Sequence, residues 1–274
     1  MRLREVLAKK LSIAEMEMLK TAYDTVGSIA IIEIPPELVK KEKIIAETLM
    51  SLQKNVKTVV KKVGIHSGEF RLQKVKIVAG QRTKETEHKE NNVRLLLHVE
   101  KVYFSPRLST ERKRIMEIVQ PGEDILVMFS GCAPYPCVLG KNTAAKSIIG
   151  VEINPVGHAY GLKNIVLNKL KNVELHCGDV RNIVPQLKKK FDRVLMPLPR
   201  SAEDFLDIAL GAVKKGGVVH FYDFLHESEI PYFSEKKIKA ACKKSKKKCK
   251  ILKWTKCGQY SPNKYRICVD FRVG

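Results

Sequence analysis

The sequence lacks any apolar run that approaches the roughly 18–20 residues of a membrane-spanning helix. Its first ten residues, Met1 to Lys10, are charged and have no apolar core of the kind found in a signal peptide. We therefore expect an intracellular, cytoplasmic protein that does not enter a membrane and keeps most of its seven cysteines reduced. Apolar residues make up 44% of the chain and charged residues 29%, which excludes a disulfide scaffold, a collagen-like chain and wholesale disorder.

Metal-ligand spacings are missing as well. Cys242, Cys249, Cys257 and Cys268 do not form the paired C-x-x-C units of a zinc site, and the seven histidines include no H-E-x-x-H motif. We predict buried thiols and no metal site, with a disulfide left open as an alternative. The G-x-G-x-x-G turn of dinucleotide-binding folds is also absent, which counts against NAD as a cofactor.

Acidic residues are scarce relative to basic ones. The 274 residues include 51 Lys+Arg against 29 Asp+Glu, which gives a net charge of +22. An excess of this size indicates a polyanionic partner, with nucleic acid ahead of an anionic membrane surface. Between Lys236 and Lys256 there are 11 lysines and no acid. This segment is either a solvated lysine face or a surface that contacts phosphates, and we expect Lys243, Lys244 and Lys246 to bind RNA.

The first part of the chain has the pattern of a small α+β domain, which we place at residues 1–104. Its first 25 residues carry apolar side chains at helical spacing and predict one amphipathic helix. The polar stretch Gln81–Asn92 is expected to be a hairpin loop. The other predicted elements are a strand at Ser28–Ile34 that stops at Pro35, a helix at Glu37–Gln53, and strands at Val56–Val63, Phe70–Ala79 and Val93–Phe104.

From Asp124 onward, short apolar runs alternate with helical segments, and five such β–α repeats predict a parallel sheet with helices on both faces. The last two runs have no helix between them, so they predict an antiparallel hairpin at the sheet edge. This α/β pattern resembles the seven-stranded, Rossmann-like fold of class I methyltransferases, and we place it at residues 105–274. The predicted strands are Ile125–Phe129, Ser147–Ile153, Val173–Cys177, Arg193–Met196, Gly217–Tyr222, Lys250–Lys256 and Tyr265–Arg272. The predicted helices start after Pro134 or Pro136, span about Pro155–Asn168, end near Lys190, and cover Ala202–Val213 and about Ser234–Lys247.

Doubly wound sheets bind ligands at the carboxyl ends of their strands, near the point where the strand order reverses. Gly131 allows close backbone approach there, Glu152 can accept hydrogen bonds from two ribose hydroxyls, and Asp179 can accept one from an adenine amino group. Asp179 could instead only cap the helix that follows it, and Asn154 could do the same. The pattern predicts a cofactor that contains a nucleoside. The predicted contacts are Phe129, Ser130, Gly131, Ala133, Pro134, Glu152, Ile153, Asn154, Gly178, Asp179, Val180, Pro197 and Leu198.

Several longer motifs resemble one known family. They include IAIIEIPPEL, KNVKTVVKKVGIHSGEFR, ETEHKEN, KVYFSPRLSTER, GVEINP, GDVR and DRVLMPLP, and the likeness runs from about Tyr23 to the C-terminus. The chain resembles the archaeal and eukaryotic tRNA guanine-37 N1-methyltransferases, and CAPYP and MPLP resemble their archaeal a-type branch. The resemblance implies S-adenosylmethionine as cofactor, tRNA as partner and methylation of N1 of guanosine 37. Some members of that branch also methylate C7 of the tricyclic 4-demethylwyosine, and we expect a monomer.

Three features depart from that family. Val127 stands where members often carry Asp, Pro197 stands where many have the Asn of N-L-P, and only some 22 residues precede the match where many have a separate domain. The aminocarboxypropyltransferase of wyosine synthesis is a close cousin, but its M-G-Y-V-like loop differs from Met196–Pro199. That enzyme is one alternative. A non-catalytic RNA-binding module is the other, and Val127 is its only support in the sequence.

The resemblance also assigns positions at the reaction centre. Glu111 in STER matches the family's general base, and Arg71 in GEFR matches an arginine near guanine O6. Arg107 in SPR and the loop from Pro197 to Pro199 are expected to hold the target base. From the residues alone, Glu111 could be an ordinary acid of a first helical turn, and Arg71 could pair with Glu69 along a strand edge. Aromatic partners for a splayed-out base are expected among Tyr103, Phe104, Tyr135 and Tyr222.

Overall fold

The computed structural model describes residues 2–64, 68–198 and 200–274. The chain divides into two compact units. The first consists of Met1–Lys89 and Arg94–Pro106, and the second of Glu90–Val93 and Arg107–Gly274. Within the described part of the chain, no helix is both long enough and apolar enough to cross a bilayer.

The first unit is a small sheet covered by short helices. Strand β3 pairs in parallel with β2 and antiparallel with β4, and β1 completes the order β1-β2-β3-β4. The apolar sides of α1 and α3 cover it, with Leu7, Ile45 and Leu49 buried against Ala30 and Val59. The elements are α1 (Leu3–Leu7), α2 (Ile13–Met18), β1 (Asp24–Val26), β2 (Ile29–Ile32), a 3-10 helix (Pro36–Lys41), α3 (Glu42–Leu52), β3 (Thr58–Lys62), β4 (Val75–Gly80), β5 (Glu85–Glu90) and β6 (Val93–His98).

The prediction of one helix over the first 25 residues is wrong, because the segment contains two helices. The side chain of Ser12 accepts a hydrogen bond from the backbone N–H of Glu15, and the Glu15 carboxylate accepts one from the N–H of Ser12. This reciprocal pair caps the start of α2, so the apolar periodicity continues across a break in the backbone.

The stretch Gln81–Asn92 is not a hairpin loop. It contains β5, which pairs with β6 through a two-residue turn at Asn91 and Asn92, both with positive φ (41° and 61°). Such a turn suits the twist of a tight hairpin, and asparagine tolerates the left-handed conformation it needs. The strand predicted at Phe70–Ala79 starts only at Val75.

In the described part of the second unit, seven strands form one sheet in the order β12-β13-β11-β10-β7-β8-β9. The five strands from β7 to β11 are parallel, whereas β13 is antiparallel to both of its neighbours. The predicted seven-stranded α/β fold with a C-terminal antiparallel hairpin is confirmed. The strands are β7 (Asp124–Met128), β8 (Ser147–Glu152), β9 (Val173–Cys177), β10 (Phe191–Met196), β11 (Val213–His226), β12 (Cys249–Ser261) and β13 (Lys264–Val273). The helices are α4 (Ser109–Ile118), α5 (Pro134–Asn142), α6 (Pro155–Leu167), α7 (Val180–Gln186), α8 (Leu206–Ala212) and α9 (Tyr232–Lys244), with 3-10 turns at Pro106–Leu108, Ala202–Phe205 and Glu227–Glu229.

Strand β7 is an interior strand of this sheet, between β10 and β8. All five of its residues are buried, because helices cover both of its faces. Its neighbours β8 and β10 lie on opposite sides of it, so the strand order reverses there. The carboxyl ends of the parallel strands, at Met128, Glu152 and Met196, consequently open onto the same edge of the sheet, which we call the carboxyl edge.

Candidate active site

The loop after β7 is held in an unusual backbone conformation at the carboxyl edge. Phe129, Gly131 and Ala133 have φ values of 58°, 58° and 64°, in the left-handed region that non-glycine residues rarely occupy. The N–H of Ser130 donates to the carbonyl of Val151 on the neighbouring strand at 2.8 Å. Strained loop residues of this kind concentrate at ligand-binding sites.

Glu152 joins the end of β8 to this loop. Its carboxylate accepts hydrogen bonds from the backbone N–H groups of Gly131 at 2.6 Å and Asn154 at 2.8 Å. Burial raises the pKa of Glu152, and these N–H donors oppose that shift. A Cβ on Gly157 would lie 3.3 Å from Cγ of Glu152, so α6 starts in close contact with the carboxylate.

Asp179 occupies the end of the next strand. Its carboxylate caps α7 by accepting from the N–H of Arg181 at 2.8 Å, and it also pairs with the Arg181 guanidinium, which lowers the pKa of Asp179. The Arg181 guanidinium lies 5.5 Å from the ring of Phe205, which packs edge-on against Phe129. The N–H of Gly178 donates to the carbonyl of Glu152 at 2.8 Å. The capping role considered for Asp179 is therefore present, and the three strand-end loops are physically joined.

The fourth loop follows β10. Pro197 and Leu198 are half-buried, and the N–H of Leu198 donates to the carbonyl of Met196 at 2.7 Å. Pro199, predicted to bind the substrate, lies outside the described residues. Ile153, Val180 and Pro134 belong to the same edge, since each follows a strand end or begins the helix after it, and the side chain of Asn154 caps α6.

Glu111 lies in the first turn of α4 and is 3% exposed. Its Oε1 accepts a 2.6 Å hydrogen bond from the hydroxyl of Tyr222, which is itself 2.9 Å from the hydroxyl of Tyr135. The guanidinium of Arg114 donates to both Glu111 oxygens, at 2.7 and 2.8 Å. Val127 belongs to the same buried apolar cluster as the two tyrosine rings, an environment that suits valine.

Arg114 links Glu111 to a second buried set of charges that the sequence analysis missed. It donates to Asp270 at 2.7 Å, Asp270 is 2.6 Å from Nδ1 of His220, and Nε2 of His220 is 2.7 Å from Arg193. Arg193 in turn donates to Glu123 at 2.7 Å. The set extends to a cavity of about 570 Å³ lined by Glu123, Arg193, His220 and Asp270 among other residues.

The chain of contacts just described forms a charged network, which consists of Glu111, Arg114, Asp270, His220, Arg193 and Glu123. The formal charges of these side chains do not cancel. Burial lowers the pKa of His220, so the imidazole is neutral at pH 7. Burial alone would raise the pKa of Asp270, but His220 and Arg114 hold it well below its usual range. The carboxylates of Glu111, Asp270 and Glu123 then face the two guanidiniums of Arg114 and Arg193. Counted with ionised carboxylates and a neutral imidazole, the network carries one net negative charge.

His220, Cys268 and Asp270 also place one potential metal ligand each within 4.8 Å of the others. The guanidiniums of Arg114 and Arg193 contact two members of this trio, an arrangement that suits hydrogen bonding between charged groups better than a cation. All seven cysteines are free, and four of them are buried. Cys177 is exposed.

The remaining predicted residues are distributed over both units. Arg71 belongs to the first unit and lies in a turn with φ 52°, not in the strand that was predicted there, because β4 starts at Val75. Arg107 lies exposed in the 3-10 turn before α4. Tyr103 and Phe104 belong to the first unit, where Phe104 packs edge-on against His88.

The three predicted RNA-binding lysines do not lie beside the carboxyl edge. Lys243, Lys244 and Lys246 are exposed at the end of α9 and directly after it. From there the chain enters β12 at Cys249, whose partner strand β13 pairs with the first half of β11 at Val218. These lysines therefore lie toward the amino ends of the parallel strands, opposite to Glu152.

Comparison with known proteins identifies relatives over nearly the whole chain. Residues 86–252 match the model of the TRM5/TYW2 methyltransferase domain, and residues 3–83 match that of the TYW2 N-terminal domain. The chain is 40% identical over 255 residues to tRNA (guanine(37)-N(1))-methyltransferase Trm5b of Pyrococcus abyssi, covering 93% of this chain and 76% of that protein. It is 34% identical to tRNA (guanine(37)-N(1))/4-demethylwyosine(37)-methyltransferase Taw22 of Nanoarchaeum equitans (80% and 87% covered). It is 28% identical to tRNA(Phe) (4-demethylwyosine(37)-C(7)) aminocarboxypropyltransferase of Pyrococcus horikoshii (99% and 96% covered).

Solved structures share the fold. A complex of aTrm5 with tRNALeu superposes with a TM-score of 0.87 at 32% identity, covering 100% of this chain and 78% of that chain. TYW2 of M. jannaschii in complex with AdoMet gives a TM-score of 0.70 at 25% identity, with 92% and 99% covered. Together with the family match over more than half of its length, these similarities show that the chain belongs to the TRM5/TYW2 methyltransferase family.

Proposed function

We propose that this protein is a tRNA methyltransferase that transfers a methyl group from S-adenosylmethionine to N1 of guanosine 37. The observation that carries the proposal is the buried carboxylate of Glu111, held by Tyr222 and Arg114 in a chain 40% identical to a tRNA (guanine(37)-N(1))-methyltransferase. A base is needed because guanine N1 carries a proton near neutral pH and cannot attack a methyl group until that proton leaves.

The carboxyl edge fits S-adenosylmethionine. The hydroxyl oxygen of Ser130 is buried there and has no hydrogen-bond partner among the described residues, so it is available to a ligand. Glu152 retains acceptor capacity for ribose hydroxyls beyond its two backbone donors, and Asp179 presents a carboxylate to an amino group. When bound, the cofactor supplies an electrophilic methyl group on a sulfonium.

The protein's own contribution to the reaction is to position the target base and to move one proton. Glu111 accepts the N1 proton, and the guanidinium of Arg114 holds its carboxylate in place for that transfer. Tyr222 keeps the carboxylate in one orientation. Negative charge then grows on guanine O6, and we assign its stabilisation to Arg71.

We also assign the residues that hold the target base and the parts of the chain that bind tRNA. Arg107, Pro197 and Pro199 hold the base, while residues 1–104 form the tRNA-facing domain and residues 105–274 the catalytic domain. Lys243, Lys244 and Lys246 contact tRNA phosphates away from the target nucleoside, in keeping with their position opposite to the carboxyl edge. A cytoplasmic location and a monomeric state stay predictions.

Two further reactions have specific support. The match of residues 3–83 to the TYW2 N-terminal domain favours aminocarboxypropyl transfer as the second candidate, with the same cofactor cleaved at another bond to sulfur. The likeness to Taw22 favours an added methylation of 4-demethylwyosine. The aminocarboxypropyl reaction would replace the proposed one, whereas the added methylation would extend it.

Nucleoside mass spectrometry separates these outcomes. Unmodified tRNA with guanosine 37 is incubated with the protein and S-adenosylmethionine, and a matched tRNA carrying adenosine 37 is the control. One added methyl group, mapped to N1 of guanosine 37 and absent from the control, is the expected product. A parallel incubation uses tRNA that carries 4-demethylwyosine at position 37. An aminocarboxypropyl adduct on that tRNA, with no methyl transfer to guanosine 37 in the first, would establish the second candidate instead.

A further inference from the structure

Four side chains form a cluster of two rings and two guanidiniums at the carboxyl end of β11, which we call the ring cluster. The rings of Phe224 and Tyr260 are 4.3 Å apart between centroids at an angle of 38°. The Arg266 guanidinium lies 5.1 Å from the Phe224 ring centroid, and that of Arg200 lies 5.8 Å from the Tyr260 ring centroid. Arg200 also donates to the Tyr260 hydroxyl at 3.2 Å. Every member is aromatic or cationic.

The register of the sheet places the ring cluster near Glu111, the proposed general base. Phe224 pairs with Arg266 across β11 and β13, and Tyr222 pairs with Cys268 two residues earlier. Residues two apart on a strand share a face, about 7 Å from each other along the strand. Phe224 therefore lies on the face where Tyr222 holds Glu111, two residues further toward the carboxyl end of β11.

The two rings differ in exposure. Tyr260 is 51% exposed, whereas Phe224 is half-buried beneath it. The Tyr260 ring packs against Phe224 and is otherwise largely exposed, so it can stack against the flat face of a nucleobase. Such stacking does not depend strongly on which base is present. Arg200, which is exposed, adds a guanidinium that can pair with phosphate oxygens. Arg200 follows the loop of Met196–Leu198 by two residues, so the cluster adjoins the loop assigned to the target base.

We infer that the ring cluster binds an unpaired nucleotide adjacent to the target guanosine, with its base stacked on Tyr260 and its phosphate at Arg200. A nucleoside removed from its stack leaves its neighbours exposed, and a second stacking surface next to the pocket stabilises that opened loop. The inference rests on the proposed function, because it takes tRNA as the substrate.

The experiment compares Tyr260→Ala and Tyr260→Phe with the control Trp254→Ala. Trp254 is 40% exposed on the same strand, but it pairs with Val269, which is adjacent to Cys268 in β13 and so lies on the opposite face. Two full-length tRNAs are used. One carries 2-aminopurine directly before guanosine 37 and the other directly after it, and the fluorescence of each probe reports its stacking. Affinity for each tRNA, affinity for S-adenosylmethionine and methyl transfer are measured for every protein.

Tyr260→Ala is expected to weaken tRNA binding about tenfold and to abolish the binding-induced fluorescence change at one of the two positions. Tyr260→Phe and Trp254→Ala keep that fluorescence change, and all variants keep the wild-type affinity for S-adenosylmethionine. Wild-type affinity and fluorescence in Tyr260→Ala would overturn the inference and leave the ring cluster as a surface for a protein. If the wild-type protein transfers no methyl group while Tyr260→Ala still loses tRNA stacking, the proposed reaction fails but this inference stands.

Discussion

The hydroxyl of Tyr222 donates a hydrogen bond of 2.6 Å to Oε1 of Glu111, joining the middle of β11 to the first turn of α4. An acid in a first helical turn is commonly explained by the helix dipole, which favours negative charge at that end. That explanation does not require burial, yet Glu111 is 3% exposed and accepts from Arg114 as well. A buried carboxylate with three donors has been positioned at a defined place, as a general base requires.

Glu111→Gln is expected to lower the single-turnover rate of methyl transfer by about 10²- to 10⁴-fold, because the amide cannot take the N1 proton. The substitution is close to isosteric, but the new NH₂ group must face a donor of Arg114 or Tyr222, so thermal unfolding of the variant is compared with wild type as a folding control. The measurement is a rapid-quench time course with saturating S-adenosylmethionine and tRNA. Binding of S-adenosylmethionine, followed by calorimetry, is expected to be unchanged. A wild-type rate in this variant would exclude Glu111 as the base.

Tyr222→Phe tests the positioning role separately. It removes one donor to Glu111 and leaves both donors from Arg114, so the rate is expected to fall by only about tenfold. The same time course applies. Tyr135→Phe is the matched control, since it removes a hydroxyl from the same cluster and leaves the hydrogen bond from Tyr222 to Glu111 in place. Equal losses in both tyrosine variants would contradict a specific role for the Tyr222 hydroxyl.

Much of the fold could be predicted because its signals are local. The strand Val173–Cys177 is found at the predicted residues, and the absence of a helical segment between the last two strands predicts their antiparallel pairing. Strand β5 was missed because its sequence, ETEHKE, is polar throughout, so alternation of apolar residues could not reveal it. The break before α2 was missed because α1 ends at Leu7 and Ser12 caps the start of α2 without interrupting the apolar periodicity.

The candidate site likewise contains residues that local sequence signals could locate and residues that they could not. The positions of Gly131, Glu152 and Asp179 could be located because each lies at the carboxyl end of a strand or within three residues of it, in a fold whose ligand edge is known. The network around Glu111 could not, since its partners come from distant parts of the chain: His220 and Asp270 are 50 residues apart, and Arg114 and Asp270 are 156 apart. No spacing rule connects residues that meet only through the register of β11 and β13.

Glu152→Gln is expected to weaken S-adenosylmethionine binding at least tenfold. The carboxylate accepts from two backbone N–H groups, whereas an amide presents one oxygen and one NH₂, so one of these donors faces another donor. An unmet buried donor costs about 1–3 kcal/mol, and an acceptor for the ribose is also lost. Calorimetric titration measures the change. Glu174→Gln on β9, where the side chain is 66% exposed, is the control and should bind like wild type.

Replacing Lys243, Lys244 and Lys246 together by alanine is expected to weaken tRNA binding and flatten its salt dependence. Each phosphate contact contributes about 0.7–0.9 to the slope of log affinity against log salt, so the slope should fall by about 2 to 3. Fluorescence anisotropy over a range of KCl concentrations measures it. The matched control replaces three exposed lysines at and after α6, which are Lys163, Lys169 and Lys171. Equal slopes in wild type and the first variant would mean that the segment is only a solvated face.

Asp124 at the start of β7 supplies a pH-dependent part of the stability. Burial raises its pKa, but hydrogen bonds from Lys189 and Ser147 and the charge of Lys214 outweigh this and hold it at about 2. The unfolded value is about 3.9, so the folded state favours the ionised form. This stabilisation is complete above the unfolded pKa and is lost as the pH falls from about 4 to about 2.

Asp124→Asn is therefore expected to lower the free energy of unfolding by about 2 kcal/mol at pH 7, with the difference from wild type shrinking as the pH falls below 4. Urea unfolding of both proteins at pH 7, 5 and 3, followed by circular dichroism, measures it. Asp204→Asn, at an exposed position after β10, controls for the loss of one negative charge and should change stability by less than about 0.5 kcal/mol. A difference between Asp124→Asn and wild type that stays constant down to pH 3 would show that the ion pairs with Lys189 and Lys214 do not provide this stabilisation, because only an ionised Asp124 can form them.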